Sequence, residues 1–161
     1  LLMVDNSIDL DYIKKVEGYC ARYGVRNYRL EHLKIDPTLH SDRKVEISQE
    51  TIRQEVLAGS YDGWFSWECD QIIPTDAVSK LVEFAKTGNF MLVAHNSWAR
   101  GYPSSSNFDM GCTLIKRECL EKYGFMPEQG RYEFYKIRVS KGGGSYVEVE
   151  GLISPIYHLN K

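Results

Sequence analysis

Short apolar segments alternate with longer amphipathic segments along most of this chain, and this alternation constrains the fold more than any other feature. Each apolar segment has the length of a buried strand. Each amphipathic segment repeats its apolar residues every three or four positions, as a helix does. Strands that alternate with helices are typical of α/β proteins. The sequence therefore predicts an α/β fold, a three-layer α/β/α sandwich with a mostly parallel central sheet.

The boundaries of these elements follow from the periodicity and from the turn residues between them. The central strands are predicted at Leu1–Val4, Val25–Leu30, Tyr61–Trp67 and Phe90–His95. The helices between them are predicted at Leu10–Tyr23, Val45–Ala58 and Thr75–Lys86. A second group of elements is predicted at Gly111–Ile115, Arg117–Tyr123, Arg131–Lys141, Ser145–Val149 and Ile153–His158. We expect one domain over residues 1–161 and, because the chain opens directly on an apolar strand, a fragment of a longer protein.

Composition excludes several classes of protein. The 161 residues are 43% hydrophobic and 26% charged, which is ordinary for a globular domain large enough to bury a core. The net charge of −2, without a basic block, argues against a nucleic-acid partner. No apolar run approaches the ~20 residues of a transmembrane segment. The four cysteines form no C-x-x-C pair, so reduced thiols and a cytoplasmic location are expected.

The strongest chemical signal is a pair of carboxylates at the end of an aromatic strand. Glu68 and Asp70 follow directly after Trp67. Ligands of open α/β sheets bind outside the carboxyl ends of strands. Residues two apart on an extended chain also point to the same side. Such paired oxygen ligands suit Mg²⁺ or Mn²⁺, although an acidic residue at each of two nearby positions can also be a strand end followed by a turn.

Four segments resemble motifs of the GT-A-fold glycosyltransferases, those of family 2 above all, and they follow one another in that family's order. One of them, Y-D-G-W-F-S-W-E-C-D-Q-I-I-P, looks like that family's D-x-D strand with its Pro-initiated helix. The others look like the family's nucleotide-contacting strand, its acceptor-side segment and its late histidine. The four segments are Tyr61–Pro74, Val4–Ser7, Met110–Phe125 and Ile156–Leu159. The resemblance covers nearly the whole chain and implies the Rossmann-like GT-A fold.

This resemblance implies a donor that is a nucleotide-diphospho-sugar, bound with Mn²⁺ or Mg²⁺. The metal would neutralise the charge that develops on the diphosphate leaving group. The ligands of the metal would be Asp70, Glu68 and His158. The residues that bind the nucleotide-sugar would be Asp5, Asn6, Ser7, Glu68 and Asp70. The chain departs from the family in having Glu-Cys-Asp in place of Asp-x-Asp, and in lacking the family's first strand–helix unit.

The acceptor is expected at two further segments. Trp98 and Arg100 lie in a loop rich in Gly, Ser and Pro, and sugar rings stack on aromatic side chains. Gly111 and Cys112 belong to the segment that resembles the acceptor side of the family. An inverting transferase needs a base, and Glu133 is the carboxylate nearest the family's position for it. The acceptor itself, whether glycan, lipid or protein, stays open.

Two other functions compete with a glycosyltransferase that works by inversion. A non-catalytic nucleotide- or sugar-binding module of the same fold would account for the absent first unit. A nucleotidyltransferase shares the α/β nucleotide-binding architecture, but no Gly-rich phosphate loop opens this chain. The remaining tryptophans, Trp64 and Trp67, are expected to be packing residues.

Overall fold

The structure is a computed structural model that describes residues 1–95, 110–126, 135–154 and 156–159, with His158 described by its backbone. Its described helices are α1 (Leu10–Arg22), α2 (Ser41–Ala58), α3 (Ala77–Ala85), α4 (Arg117–Lys122) and α5 (Tyr135–Lys141). Its described strands are β1 (Leu2–Asp5), β2 (Arg29–His32), β3 (Gly63–Ser66), β4 (Gln71–Ile72), β5 (Leu92–His95), β6 (Thr113–Lys116), β7 (Tyr146–Val149) and β8 (Tyr157–His158). The mixture of helices and strands confirms the α/β class.

The chain divides into two compact units, and each is treated by itself here. The first consists of Leu1–Glu55 and Phe125–Tyr132, the second of Val56–Gly124 and Glu133–Lys161. These bounds apply to the described residues within them. The expectation of a single domain stays a prediction.

In the first unit, β1 and β2 form a two-stranded parallel sheet. The register places Asp5 opposite His32, so both strands end on a polar residue at the same edge. The second strand begins later than the predicted Val25. The reason is that Val25 still belongs to the end of α1, where its N–H donates to the Cys20 carbonyl at 2.8 Å and Gly24 adopts a φ of +68°.

The second helix of this unit begins four residues before the predicted Val45. His40 caps it, because its Nδ1 accepts from the Asp42 N–H at 3.3 Å. The apolar spacing of this helix also predicts that Val45, Ile52 and Val56 point inward, and this prediction is wrong for Val45. Val45 is exposed, whereas Glu46 is buried and forms an ion pair with Arg43 at 2.9 Å. The ion pair allows a carboxylate to occupy the inner face.

The second unit contains a four-stranded sheet in the order β3-β6-β5-β7. Its strands β5 and β7 are parallel, but β6 is antiparallel to both of its neighbours. The prediction of a mostly parallel sheet is therefore wrong for this sheet, which is mixed. The physical reason is the position of β6, which enters between two strands that precede it in the chain and runs against both. The three-layer sandwich stays a prediction.

Helix α3 covers this sheet and supplies much of the core of the unit. The apolar spacing of this helix predicts that Val78, Leu81, Val82 and Ala85 point inward. Leu81 and Ala85 are buried, whereas Val78 is exposed. The core cluster joins the helix to β5, to β7 and to the segments beside them. Its buried members are Ala77, Leu81, Ala85, Val93, Cys112, Val149 and Ile153. Burial of these side chains stabilises the sheet by the hydrophobic effect.

Arg117, the first residue of α4, donates hydrogen bonds to backbone carbonyls at the end of α2 and in the chain that follows it. Its Nη2 donates to the Leu57 carbonyl at 2.8 Å, and its Nη1 donates to the Gly59 carbonyl at 2.8 Å. Its Nη1 also reaches the carbonyls of Val56 at 3.3 Å and Tyr61 at 3.1 Å. The last carbonyls of a helix have no partner within the helix, and a cation there complements the helix dipole.

Among the described residues, no helix combines the length and the apolar character needed to cross a membrane.

We expect Arg117→Lys to destabilise the protein by about 1–3 kcal/mol, because a single ammonium cannot replace a guanidinium fork that serves several carbonyls. Urea unfolding, followed by circular dichroism, measures the difference. Arg26→Lys is the matched control, since Arg26 is exposed, and it should leave the free energy of unfolding within about 0.5 kcal/mol of wild type. Equal stability of the two variants would show that the fork contributes little.

Candidate functional site

The carboxyl edge of the β1–β2 sheet holds a carboxylate fixed by three donors. Asp5 Oδ2 lies 2.8 Å from Nδ1 of His32 and accepts from the Ser7 hydroxyl at 3.0 Å. Asp5 Oδ1 accepts from the Ser7 N–H at 3.2 Å. The side chain of Asp5 is only 10% exposed. The carboxylate is thus oriented before any ligand arrives.

The hydrogen bonds at this edge determine the ionisation of Asp5. Burial is the largest influence and raises the pKa of Asp5. The hydrogen bonds from His32 and from the N–H and hydroxyl of Ser7, together with the charge of His32, outweigh it. The pKa of Asp5 therefore lies below its ordinary value of 3.8. Asp5 is a charged acceptor at neutral pH.

Asn6, the next residue of the predicted nucleotide segment, contacts α2. Its Nδ2 donates to Ser48 Oγ at 3.2 Å, and Ser48 Oγ in turn donates to the Lys44 carbonyl at 3.0 Å. The consecutive residues Asp5, Asn6 and Ser7 thus lie at the carboxyl edge of the β1–β2 sheet, and their contact with a nucleotide-sugar stays a prediction.

The predicted carboxylate pair of the second unit lies in a tight turn. The Gln71 N–H donates to the Glu68 carbonyl at 3.1 Å, which closes a four-residue turn over Glu68–Gln71. The sequence analysis expected an extended chain here, with the side chains of Glu68 and Asp70 on the same side. That expectation is wrong, because the backbone forms a turn. Glu68 and Asp70 are both half-buried, and Cys69 between them is exposed.

This acidic turn, residues 68–71, is fastened from outside by two hydrogen bonds. Trp67 Nε1 donates to the Gln71 carbonyl at 3.0 Å. The Leu159 N–H donates to the Asp70 carbonyl at 2.7 Å. Strands β4 and β8 pair antiparallel, with Gln71 opposite His158. The backbone of the predicted late histidine therefore lies directly beside the acidic turn.

The predicted acceptor-side residues Gly111 and Cys112 meet the same turn through Gln71. The side chain of Gln71 is buried, and a Cβ on Gly111 would stand 2.2 Å from its Nε2 and 2.4 Å from its Oε1. Only a glycine allows this approach. Cys112 is fully buried with a φ of +52°, a conformation uncommon for a residue with a side chain. Its carbonyl accepts from the N–H of His95, a buried residue as expected of a core histidine.

Several predicted site residues lie outside the described part of the chain. These are Trp98, Arg100 and Glu133, together with the side chain of His158. Among the side chains that the structure describes, no three His, Cys, Asp or Glu residues converge as a metal site would require.

Two residues of these sites were missed by the sequence analysis. His32 could have been found as the polar residue that ends the strand next to Asp5. Gln71 carried no signal of its own, because its importance depends on Gly111 and on a strand far along the chain.

The comparisons with known proteins bear on the fold. No protein-family model matches the chain, and no curated protein matches it. Among solved structures, the chain is similar to one described as a glycosyltransferase involved in the glycosylation of the major capsid of PBCV-1. The TM-score is 0.50 and the identity 14%, and the match covers 92% of this chain and 80% of that chain. The chain thus shares the α/β fold of that structure.

The lowered pKa of Asp5 predicts a particular dependence of stability on pH. A carboxylate whose pKa is lower in the folded state stabilises the fold above its unfolded pKa of about 3.9, and this contribution is lost as the pH falls through the folded pKa. The destabilisation caused by Asp5→Asn should therefore be largest above about pH 5 and shrink below about pH 4.

Urea unfolding at a series of pH values from about 3 to about 7 measures the difference. The control is Asp11→Asn, because the Asp11 side chain is 70% exposed and should show little pH-dependent difference from wild type. A constant difference for Asp5→Asn across the whole pH range would contradict the prediction.

The close approach at Gly111 predicts a clash that a second substitution removes. Gly111→Ala should destabilise the protein by about 1–3 kcal/mol, because the buried Gln71 amide must move. Adding Gln71→Ser removes that amide and should recover part of the loss, as thermal unfolding would show. Gly18→Ala is the control, since a Cβ there meets nothing within 4 Å. Strictly additive losses in the double variant would contradict this account.

Proposed function

We propose that this chain is a metal-dependent glycosyltransferase of the family 2 type, which transfers a sugar from a nucleotide-diphospho-sugar to an acceptor. The observation that carries the proposal is the acidic turn at the end of β3. It joins the Gly111 segment and β8 through Gln71, and these are three of the segments in which the sequence resembles that family. The similarity of the fold to a glycosyltransferase supports the same conclusion.

The chemistry of the turn fits Mn²⁺ or Mg²⁺. Asp70 would be the direct ligand, with Glu68 in support and His158 as a further ligand. A carboxylate pair is a sufficient protein contribution, because Mg²⁺ is commonly held by one or two carboxylates together with substrate phosphates and waters. When bound, the metal would stabilise the negative charge of the diphosphate leaving group.

For the first unit we propose contact with the nucleoside. Asp5 is charged, the fixed donors His32 and Ser7 occupy three of its about four acceptor positions, and the remaining position on Oδ1 can accept from a base N–H or a ribose hydroxyl. Asn6 and Ser7 would add polar contacts. Because His32 and Ser7 already orient Asp5, little conformational entropy is lost when a ligand binds.

For the acceptor side we propose a supporting role of Gly111 and Cys112, because both residues are buried and would shape the site from beneath. Trp98 and Arg100 would contribute from the loop that precedes them. Glu133 is the proposed base of an inverting reaction, in which it would take the proton of the acceptor hydroxyl as the bond to the anomeric carbon forms.

Asp70→Asn is expected to remove the Mn²⁺-dependent part of nucleotide binding. In thermal-shift titrations with UDP and GDP, Mn²⁺ should raise the apparent midpoint of wild type through binding to the folded state. The affinity for Mn²⁺ should fall at least about tenfold in Asp70→Asn and less in Glu68→Gln. The stability of the unliganded variants should stay near wild type, because two neighbouring carboxylates repel each other.

Asp76→Asn is the matched control, since its carboxylate is 53% exposed and lies outside the acidic turn. Unchanged Mn²⁺ affinity in Asp70→Asn would overturn the metal assignment. Metal-dependent binding of UDP or GDP without turnover of UDP-glucose or GDP-mannose would favour the non-catalytic binding module.

A further inference from the structure

The hydrogen bonds of Asp5 leave its two carboxylate oxygens unequal. Oδ2 accepts from the Ser7 hydroxyl at 3.0 Å and from Nδ1 of His32 at 2.8 Å, since a charged carboxylate has no hydrogen to donate. Among the contacts of the described residues, Oδ1 accepts from one donor, the Ser7 N–H at 3.2 Å. A carboxylate oxygen has about two acceptor positions. Oδ2 is therefore filled, and Oδ1 keeps one position open.

A second acceptor competes for the Ser7 hydroxyl. The Asp9 carbonyl lies 3.2 Å from the Ser7 oxygen, and a hydroxyl has a single hydrogen to donate. The contact with Asp5 is shorter and its acceptor is ionised, which makes that hydrogen bond the stronger of the two. The hydroxyl hydrogen of Ser7 therefore belongs to Oδ2 of Asp5.

The surroundings keep this arrangement in place. The parallel register sets Asp5 directly opposite His32, so the two side chains stay adjacent as long as β1 and β2 pair. The side chains of Asp5 and His32 are 10% and 20% exposed. A ligand donor that finds no acceptor at so buried a place loses its hydrogen bond to water and gains none. The open position on Oδ1 therefore selects ligands by the number of donors they bring.

The parts of a nucleotide differ in the number of donors they present together. Guanine presents its ring N–H beside its amino group, and a ribose presents two neighbouring hydroxyls. Such a pair of donors matches a carboxylate whose two oxygens are both open. Uracil and thymine present one ring N–H between two carbonyl groups. Because Oδ2 is filled, the single ring N–H is matched completely at Asp5, whereas guanine or a ribose leaves a donor unpaired.

We propose that Asp5 selects a base with a single ring N–H, as in uracil or thymine, over guanine, because His32 and Ser7 keep Oδ2 closed. This inference rests on the proposed function in one respect, the contact of Asp5 with the nucleoside. It goes further in naming the class of base and in making His32 and Ser7 determinants of specificity. Both are positioning residues, since each acts on the ligand through Asp5.

The test is isothermal titration calorimetry with UDP, dTDP and GDP in the presence of Mn²⁺. The ratio of two affinities cancels the contribution of the diphosphate, which the nucleotides share. Wild type should bind UDP at least about fivefold more tightly than GDP. Comparison of UDP with dTDP tells uracil from thymine.

Ser7→Ala should weaken this selection, because it removes the hydroxyl from Oδ2 and keeps the backbone N–H on Oδ1. The ratio of UDP affinity to GDP affinity should fall at least about threefold. Ser7→Thr and His32→Asn retain a donor for Oδ2 and should keep the ratio of wild type. Thr38→Ala is the matched control, since the Thr38 hydroxyl also donates to a carboxylate two residues earlier, that of Asp36, at 2.7 Å. Circular dichroism verifies that each variant is folded.

Equal affinity of wild type for UDP and GDP, or an unchanged ratio in Ser7→Ala, would overturn the proposal and leave the proposed transferase standing. Absence of binding by all three nucleotides would overturn both. A preference for UDP that Ser7→Ala weakens, without turnover of UDP-glucose, would refute the catalytic function and leave the selection of the base standing. Turnover of GDP-mannose in preference to UDP-glucose by wild type would refute the selection of the base alone.

Discussion

The guanidinium of Arg117 is the contact on which the second unit depends most. The guanidinium donates to carbonyls at the end of α2 and in the loop beyond it. The backbone N–H of Arg117 also donates to the Asp62 carbonyl at 2.8 Å. Both the entry to β3 and the start of α4 are thereby fixed relative to each other. Because β6 directly precedes Arg117 and pairs with β3, the same residue fixes the start of the strand that leads into the acidic turn.

The two candidate sites orient their carboxylates by different means. Asp5 is nearly buried, and hydrogen bonds from His32 and Ser7 outweigh the cost of desolvation. Glu68 and Asp70 are half-buried, and their orientation comes from the backbone of the turn, which Trp67 and Leu159 hold at its carbonyls. The first arrangement suits a fixed charged acceptor. The second fixes the backbone of the turn and leaves both side chains partly exposed to solvent.

Local periodicity predicted most helices and strands of this chain, because the apolar pattern of an element is contained within it. The periodicity gave wrong predictions where contacts with other segments determine the local structure. Strand β4 has two residues and forms only because β8 pairs with it. Glu46 occupies an inner position through its ion pair with Arg43. The sequence predicted that the acidic residues follow an aromatic strand. It did not predict their turn geometry, the role of Gln71 or the hydrogen bond between His32 and Asp5, because these depend on segments that meet only in the folded chain.

The pairing of β4 with β8 has a consequence for the order in which the chain is made. Synthesis delivers the acidic turn early, but the N–H that fastens Asp70 belongs to Leu159, far toward the carboxyl terminus. The four strands β3, β6, β5 and β7 can pair before that residue leaves the ribosome, since domains fold as their residues become available. The acidic turn is therefore completed last, on a scaffold already formed, and a nascent chain that stops short of β8 carries its carboxylates without the strand that fixes them.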